Sequence, residues 1–295
     1  MSNWHWRDWN GLSYLTCSLL KDWPHGFFTR NFWPLTPEQL IDVWQHPVNS
    51  QVPEVFRVKQ VHGNTVLPTS QLTPIGQISG ANSTASGSAA ETNPPDLKEA
   101  DGLRTEKADQ AVWVASADCS PVLIADITTG QVAAVHSGWR GTAKAIVPEA
   151  IRQFIHLNPN QIKNLRIAIG PAIAGEVYQV SQEVAAEVGI SIYPENINPE
   201  ELTVRASVPE ALPETLASVL EWLKQIPGTP IFPDREPGKV RLDVRQAISL
   251  QLDKIGITSQ QIAIAPHCTY QTPEQFFSYR RDGLKKVQWS GIISQ

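Results

Sequence analysis

Apolar residues in this chain come in short runs separated by turn residues, and the densest such pattern covers residues 111–141, AVWVASADCSPVLIADITTGQVAAVHSGWRG. Three runs there, Ala111–Ala115, Pro121–Ala125 and Gln131–Val135, are too short and too β-branched for core helices, so the pattern predicts three strands. Thr128-Thr129-Gly130 is short enough to join the second and third as a hairpin. Folding back at that turn sets Cys119, just before the second strand, within a residue or two of directly opposite His136, just after the third. Cross-strand neighbours lie about 5 Å apart, so a thiol and an imidazole are expected to meet.

The same pattern, followed along the chain, predicts further elements. Trp4 and Trp6 alternate about His5, and with Trp9 they predict an early strand, packing being a better account of the cluster than a base-stacking platform. A strand over His25–Arg30 is followed by a short helix over Pro37–Trp44, with Thr36 as N-cap and Pro37 in its first turn. Val55–Val61 reads as a strand closed by Gln60-Val61-His62-Gly63-Asn64. A helix opening at Gly141-Thr142 carries the stripe Ile146, Val147, Ala150, Ile151 and Phe154 and stops at Asn158-Pro159. Leu165–Ile169 and Ile262–Ala265 are strands, and Ser181–Val188, Pro213–Ile226 and Leu242–Ile255 are helices, the last capped by Asp243 and ended by Gly256. Two stretches break the pattern: a Ser/Ala-rich one at about 68–98 and a Pro/Glu-rich one at about 190–240. They read as insertions in a single domain over 1–295.

Composition narrows the class. With 41% apolar and 18% charged residues the chain suits a globular protein, and a formal net charge of −5 argues against broad nucleic-acid or anionic-membrane binding. Three well-separated cysteines without a CxxC point to a reducing compartment. Neither a signal-peptide pattern nor a membrane-length apolar run is visible, so a cytoplasmic location is expected. The absence of GxGxxG, Walker and HExxH motifs removes the common dinucleotide, nucleotide-hydrolase and metalloprotease readings.

Cys119 and His136 can form a metal site or a nucleophile–base pair. If His62 joins them, one thiolate and two imidazoles make a three-ligand set suited to Zn²⁺ with a fourth position open, which is the catalytic pattern. In the rival reading His136 holds Cys119 as a thiolate in a Cys–His hydrolase or deamidase, and in the plain one both are ordinary core residues. Arg140 lies at the positive end of a predicted helix, where an anion site and simple capping are equally good readings. Phe276-Phe277-Ser278-Tyr279-Arg280-Arg281-Asp282-Gly283 sets aromatics beside two arginines, which suits a ring-bearing or phosphate-bearing ligand as well as surface ion pairing.

Gln60-Val61-His62-Gly63, Ala100-Asp101-Gly102, Ala117-Asp118-Cys119-Ser120-Pro121-Val122-Leu123 and His136-Ser137-Gly138-Trp139-Arg140-Gly141 resemble the bacterial YfiH/laccase-domain family. So do Ile169-Gly170-Pro171-Ala172-Ile173, His267-Cys268-Thr269-Tyr270 and the Phe276–Gly283 segment, all in order between about Gln60 and Ile292. The resemblance implies an α+β fold of four layers, α/β/β/α, with mixed β-sheets, and a metal at His62, Cys119 and His136. It implies a zinc-dependent purine nucleoside phosphorylase acting on adenosine, inosine or methylthioadenosine with phosphate, and deaminating adenosine. In that frame Asp118, Cys119 and His136 are the candidate catalytic residues, with Asp118 an acid or an orienting group. Arg140 is placed near phosphate, and Gln60, Arg30, Tyr279 and Arg280 are candidate substrate contacts. The zinc-deaminase signature HxE…PCxxC is absent. An older family name implies copper-dependent polyphenol oxidation, but a mononuclear site plus a trinuclear cluster takes on the order of ten histidines, and this chain has seven. The chain departs from the family where a Gly-Gly-Val-Ser-type loop is replaced by Asn31-Phe32-Trp33-Pro34, and in its two long insertions.

Overall fold

The computed structural model describes residues 3–44, 52–75, 97–156, 159–193 and 214–295. Two six-stranded sheets carry the architecture. The first takes its strands in the order β1 (Trp4–Trp9), β2 (Leu12–Cys17), β3 (His25–Phe28), β15 (Gln288–Ile293), β7 (Gln110–Ser116) and β4 (Glu54–Phe56). The second runs β14 (Ile262–Ile264), β10 (Leu165–Ile169), β8 (Ser120–Asp126), β9 (Val132–Ser137), β6 (Gly102–Arg104) and β5 (Val66–Pro68). Both sheets are mixed: β4–β7, β10–β14 and β5–β6 are parallel pairs among antiparallel ones.

Period-two alternation decides what each strand faces. On β8 and β9, Leu123, Ala125, Val132 and Ala134 point to the first sheet, meeting Phe27, Val112, Val114 and Ile292. Their alternate neighbours Val122, Ile124, Ala133 and Val135 point outward to helices. On β7 the other face carries Ala111 and Trp113, which pack on Phe28, Phe32, Leu40 and Trp44. Strands buried on both faces explain why the central runs read as continuously apolar. The first of those runs belongs to one sheet and the next two to the other, so Ala117-Asp118-Cys119 is a crossover between sheets.

Helices α3 (Ile146–Ile155), α4 (Gln182–Ile190), α5 (Glu214–Gln225) and α6 (Val244–Lys254) cover the outer face of the second sheet. The expected stripe of α3 is buried in full, and Asp243 caps α6 by accepting from the Arg245 and Gln246 amides. On the outer face of the first sheet, among the described residues, the helical layer is reduced to α1 (Pro37–Leu40) and 3-10 turns. A third sheet, β11 (Gln179–Ser181), β13 (Lys239–Leu242) and β12 (Ile231–Pro233), lies beside α4. Of the two pattern breaks, residues 76–96 and 194–213 lie outside the described residues, as does Asn158. Among the described residues no helix is long and apolar enough to cross a membrane.

Two local expectations are corrected. The strand expected over Val55–Val61 pairs with β7 only through Glu54–Phe56. Beyond it the Gln60 side-chain amide takes over the ladder, donating to the Ala115 carbonyl at 2.8 Å and accepting from the Ala115 amide at 2.7 Å. The helix expected to open at Gly141-Thr142 starts earlier, as α2 (Trp139–Ala143), and is broken from α3 at Ala145, whose φ is +54°. The Thr142 hydroxyl, bonded to Ser137 Oγ and the Gly138 carbonyl, holds that first turn against the strand end.

Gly170, directly after β10, packs against Phe27 of β3: an added Cβ would lie 2.2 Å from Phe27 Cδ1. Gly170→Ala is therefore expected to cost about 1–3 kcal/mol by overpacking. Thermal denaturation of the single variants and of the pair with Phe27→Leu tests this: the double variant should lose less than the sum of the two. Strict additivity would mean that the aromatic ring does not fill the slot.

Candidate metal centre

The pairing of β8 with β9 puts Pro121 opposite His136 and Ser120 opposite Ser137, so Cys119 falls beside Gly138. Only glycine fits there: a Cβ on Gly138 would stand 2.8 Å from Cys119 Sγ and 3.4 Å from His62 Cδ2. His62 arrives from the segment that follows β4, with its backbone in the left-handed region at φ +59°. His62, Cys119 and His136 bring one ligand atom each to within 4.8 Å of one another, and the two imidazole rings meet edge to face at 4.9 Å. Sequence reasoning paired Cys119 with His136 strongly and His62 only weakly; the fold joins all three.

The side chain that fixes this arrangement is Asp101, fully buried beside β6. Its Oδ1 accepts from His136 Nδ1 at 2.9 Å and from the His62 amide at 2.9 Å. Its Oδ2 accepts from the amides of Gly63 at 2.6 Å and Val61 at 3.2 Å. Burial works against a charge on Asp101, yet the hydrogen bonds from His136 and the loop amides overcome it and hold the carboxyl below its ordinary value. An acceptor on Nδ1 also fixes the tautomer, leaving His136 Nε2 free to face the cysteine.

Burial alone would push the Cys119 thiol up, but hydrogen bonding to His136 and His62 outweighs it and brings the thiol down to about 6. Burial likewise opposes a protonated His136, while Asp101 and Cys119 raise it to about 9. Without a metal, Cys119 and His136 therefore form a thiolate–imidazolium pair from about pH 6 to about pH 9.

The donor set fits a divalent ion. A thiolate and two imidazoles are borderline-soft ligands, and tetrahedral bonds of about 2.0–2.3 Å would separate them by roughly 3.4–3.7 Å. The three donor atoms lie within 4.8 Å of one another, and His62 is the solvent-exposed member. Three protein donors leave one position open, and Asp101 supplies, at His136 Nδ1, the carboxylate–histidine link that such ligands ordinarily have.

The other expected site residues divide into those at the rim and those bound into the scaffold. Asp118, buried with φ +89°, accepts from the Thr269 hydroxyl and the Arg280 amide. Arg280 lies in the first turn of α7 (Tyr279–Asp282), and its guanidinium lies 4.9 Å from the Tyr178 ring centre and donates to the Gln179 carbonyl. Arg140 is exposed on α2 with its guanidinium over its neighbour Trp139, and Tyr279 is 58% exposed. Gln60 is spent on Ala115, and Arg30 donates to the Pro273 carbonyl while lying over Phe277. Two residues went unmarked in the sequence: Asp101 and Tyr178. The first lies inside a recognisable motif, but nothing in a lone Tyr178 announces that it faces Arg280. Burial, with the Cys119 charge nearby, pushes its phenol up to about 12, so it stays a donor.

A Synechocystis protein named purine nucleoside phosphorylase is 47% identical over 295 residues, covering 99% of this chain and 97% of that one. A Haemophilus influenzae protein of the same name is 32% identical over 185 residues, 62% of this chain and 60% of its own. The fold matches Bacillus licheniformis YfiH with a TM-score of 0.66 at 19% identity, over 98% of this chain and 99% of that one. Geobacillus stearothermophilus YlmD matches equally, at 0.66 and 20% identity over 98% of both. The family model described as multi-copper polyphenol oxidoreductase laccase covers residues 41–218 and 196–293, and with the sequence and fold relatives it establishes that the chain belongs to the YfiH/laccase-domain family.

Proposed function

We propose that the protein is a zinc-dependent purine nucleoside phosphorylase that cleaves adenosine, inosine and methylthioadenosine and also deaminates adenosine. The observation that carries the reading is the full-length likeness to a protein of that name, and the metal-ligand group supports it. When bound, the ion supplies Lewis acidity at an open position with a net charge of +1. Phosphorolysis breaks the C1′–N9 bond through an oxocarbenium-like state; the bond's electrons leave with the purine, which takes up a proton, and a phosphate oxygen bonds C1′. Arg140 and Arg280 supply positive charge for the phosphate, and Tyr178 offers a neutral donor beside them. Asp101 holds both histidine segments in place through the reaction. Two histidines in the metal-ligand group fall far short of the roughly ten that multicopper chemistry takes.

A Cys–His hydrolase is the second reading, favoured by the thiolate–imidazolium pair. Alkylation separates the two. Metal-free protein should react with iodoacetamide at a rate half-maximal near pH 6, because the thiol lies below its ordinary value and ionises early. Zinc should protect the thiol, and chelators should abolish turnover; a chelator-resistant enzyme killed by iodoacetamide would establish the hydrolase.

Cys119→Ala is expected to lose both retained metal, read by elemental analysis, and phosphate-dependent release of free base. Full phosphorolysis by metal-free Cys119→Ala would falsify the zinc reading. Asp101→Asn should weaken zinc binding by about 10–100-fold, since the partner of His136 loses its charge and one of the two accepting oxygens becomes a donor facing donors. Competition with a chromophoric chelator measures this independently of turnover, and unchanged affinity would remove Asp101 from the site's support.

A further inference from the structure

Asp118 directly precedes the ligating thiol, and its chemistry makes it the obvious proton donor. Its surroundings assign it another task. Oδ1 accepts from the Thr269 hydroxyl at 2.7 Å, Oδ2 accepts from the Arg280 backbone N–H at 2.8 Å, and the Asp118 carbonyl accepts from the Ile173 amide at 3.0 Å. The side chain is buried, and its φ of +89° is one that residues other than glycine seldom hold. A backbone N–H can only donate, so a proton on Oδ2 would set donor against donor at Arg280. The three partners come from three segments: the turn after β10, the loop after β14, and the start of α7. From α7 the Arg280 guanidinium reaches on to the Gln179 carbonyl at 2.8 Å and to the face of Tyr178.

We propose that Asp118 is a positioning residue and not the general acid: its carboxylate fastens the segment bearing Arg280 to the loop bearing Cys119, and so sets the anion-binding arginine relative to the ligating sulfur. The kinetic part of this proposal rests on the phosphorylase reading; the structural part does not. An asparagine can reproduce the fastening, its oxygen accepting from Arg280 and its amide donating to Thr269, whose hydroxyl can also accept. It cannot supply a proton.

Zinc-loaded Asp118→Asn is therefore expected to keep kcat within about tenfold of the parent, with both limbs of its pH profile. Asp118→Ala, which cannot accept from Arg280, should raise KM for phosphate by about tenfold or more, with a smaller effect on kcat. Its Arg280 amide should exchange with solvent faster than in the parent, a measurement that needs no substrate. Thr269→Val leaves the carboxylate intact and should move KM and exchange in the same direction, which keeps the test alive if the alanine variant does not fold. An asparagine variant as inactive as alanine and missing one pH limb would overturn the proposal in favour of an acid. So would unaltered Arg280 exchange in Asp118→Ala. Should the parent show no phosphorolysis at all, the phosphorylase reading fails on its own, and the exchange data still decide the role of Asp118.

Discussion

A single buried carboxylate determines the geometry of this centre. Asp101 has no exposure to solvent, and its charge is sustained by one imidazole and three consecutive backbone amides. Removing a charge from water is costly unless every lone pair finds a donor, and here the donors come from two of the three ligand segments. The cost of burial and the placement of His62 and His136 are thus settled by the same hydrogen bonds. His62, on an exposed loop with a left-handed backbone, depends on that anchor most, because little packing holds it otherwise.

The third donor side chain, Cys119, is placed by the sheets themselves. β7 ends in one sheet at Ser116 and β8 begins in the other at Ser120, leaving three residues to cross a gap of about 10 Å between packed sheets. The four backbone steps from Ser116 to Ser120 could reach roughly 13–14 Å if extended, and residues 117–119 make the crossing as a bend. Its middle residue, Asp118, takes up the unusual φ, and Cys119 emerges beside the bare backbone of Gly138.

Much of this was legible in the sequence because it depends on period and local turn chemistry. The hairpin register that joins Cys119 to His136 follows from two apolar runs and a Thr-Thr-Gly turn, and the Asp243 cap and Gly256 stop of α6 follow from their residue types. What was not legible depends on partners distant in the chain. That β7 leaves the sheet of β8 and β9 is invisible in its residues, since a strand buried on both faces reads the same in either sheet. Gln60, a candidate substrate contact under the family resemblance, has its side-chain amide paired with Ala115, a partner that no local pattern announces. His62 could not be placed without Asp101, nor Tyr178 without Arg280, 39 and 102 positions away in sequence. Motif likeness to the family supplied the metal set; the physics that unites it came only with the fold.

The alanines between the sheets carry one more implication. Ala125, Ala134 and Ala168 line the second sheet's inner face with the smallest side chains that still exclude water, while the first sheet opposes them with Phe27 and branched residues. The spacing of the two layers is thus set by a thin lining on one side. The Cys119 linker crosses between the same two layers, so their separation bears on where the sulfur lies. Substitution at these buried alanines, remote from the three donor side chains, would shift the sulfur relative to the two imidazoles as a spacer shifts the jaws of a clamp.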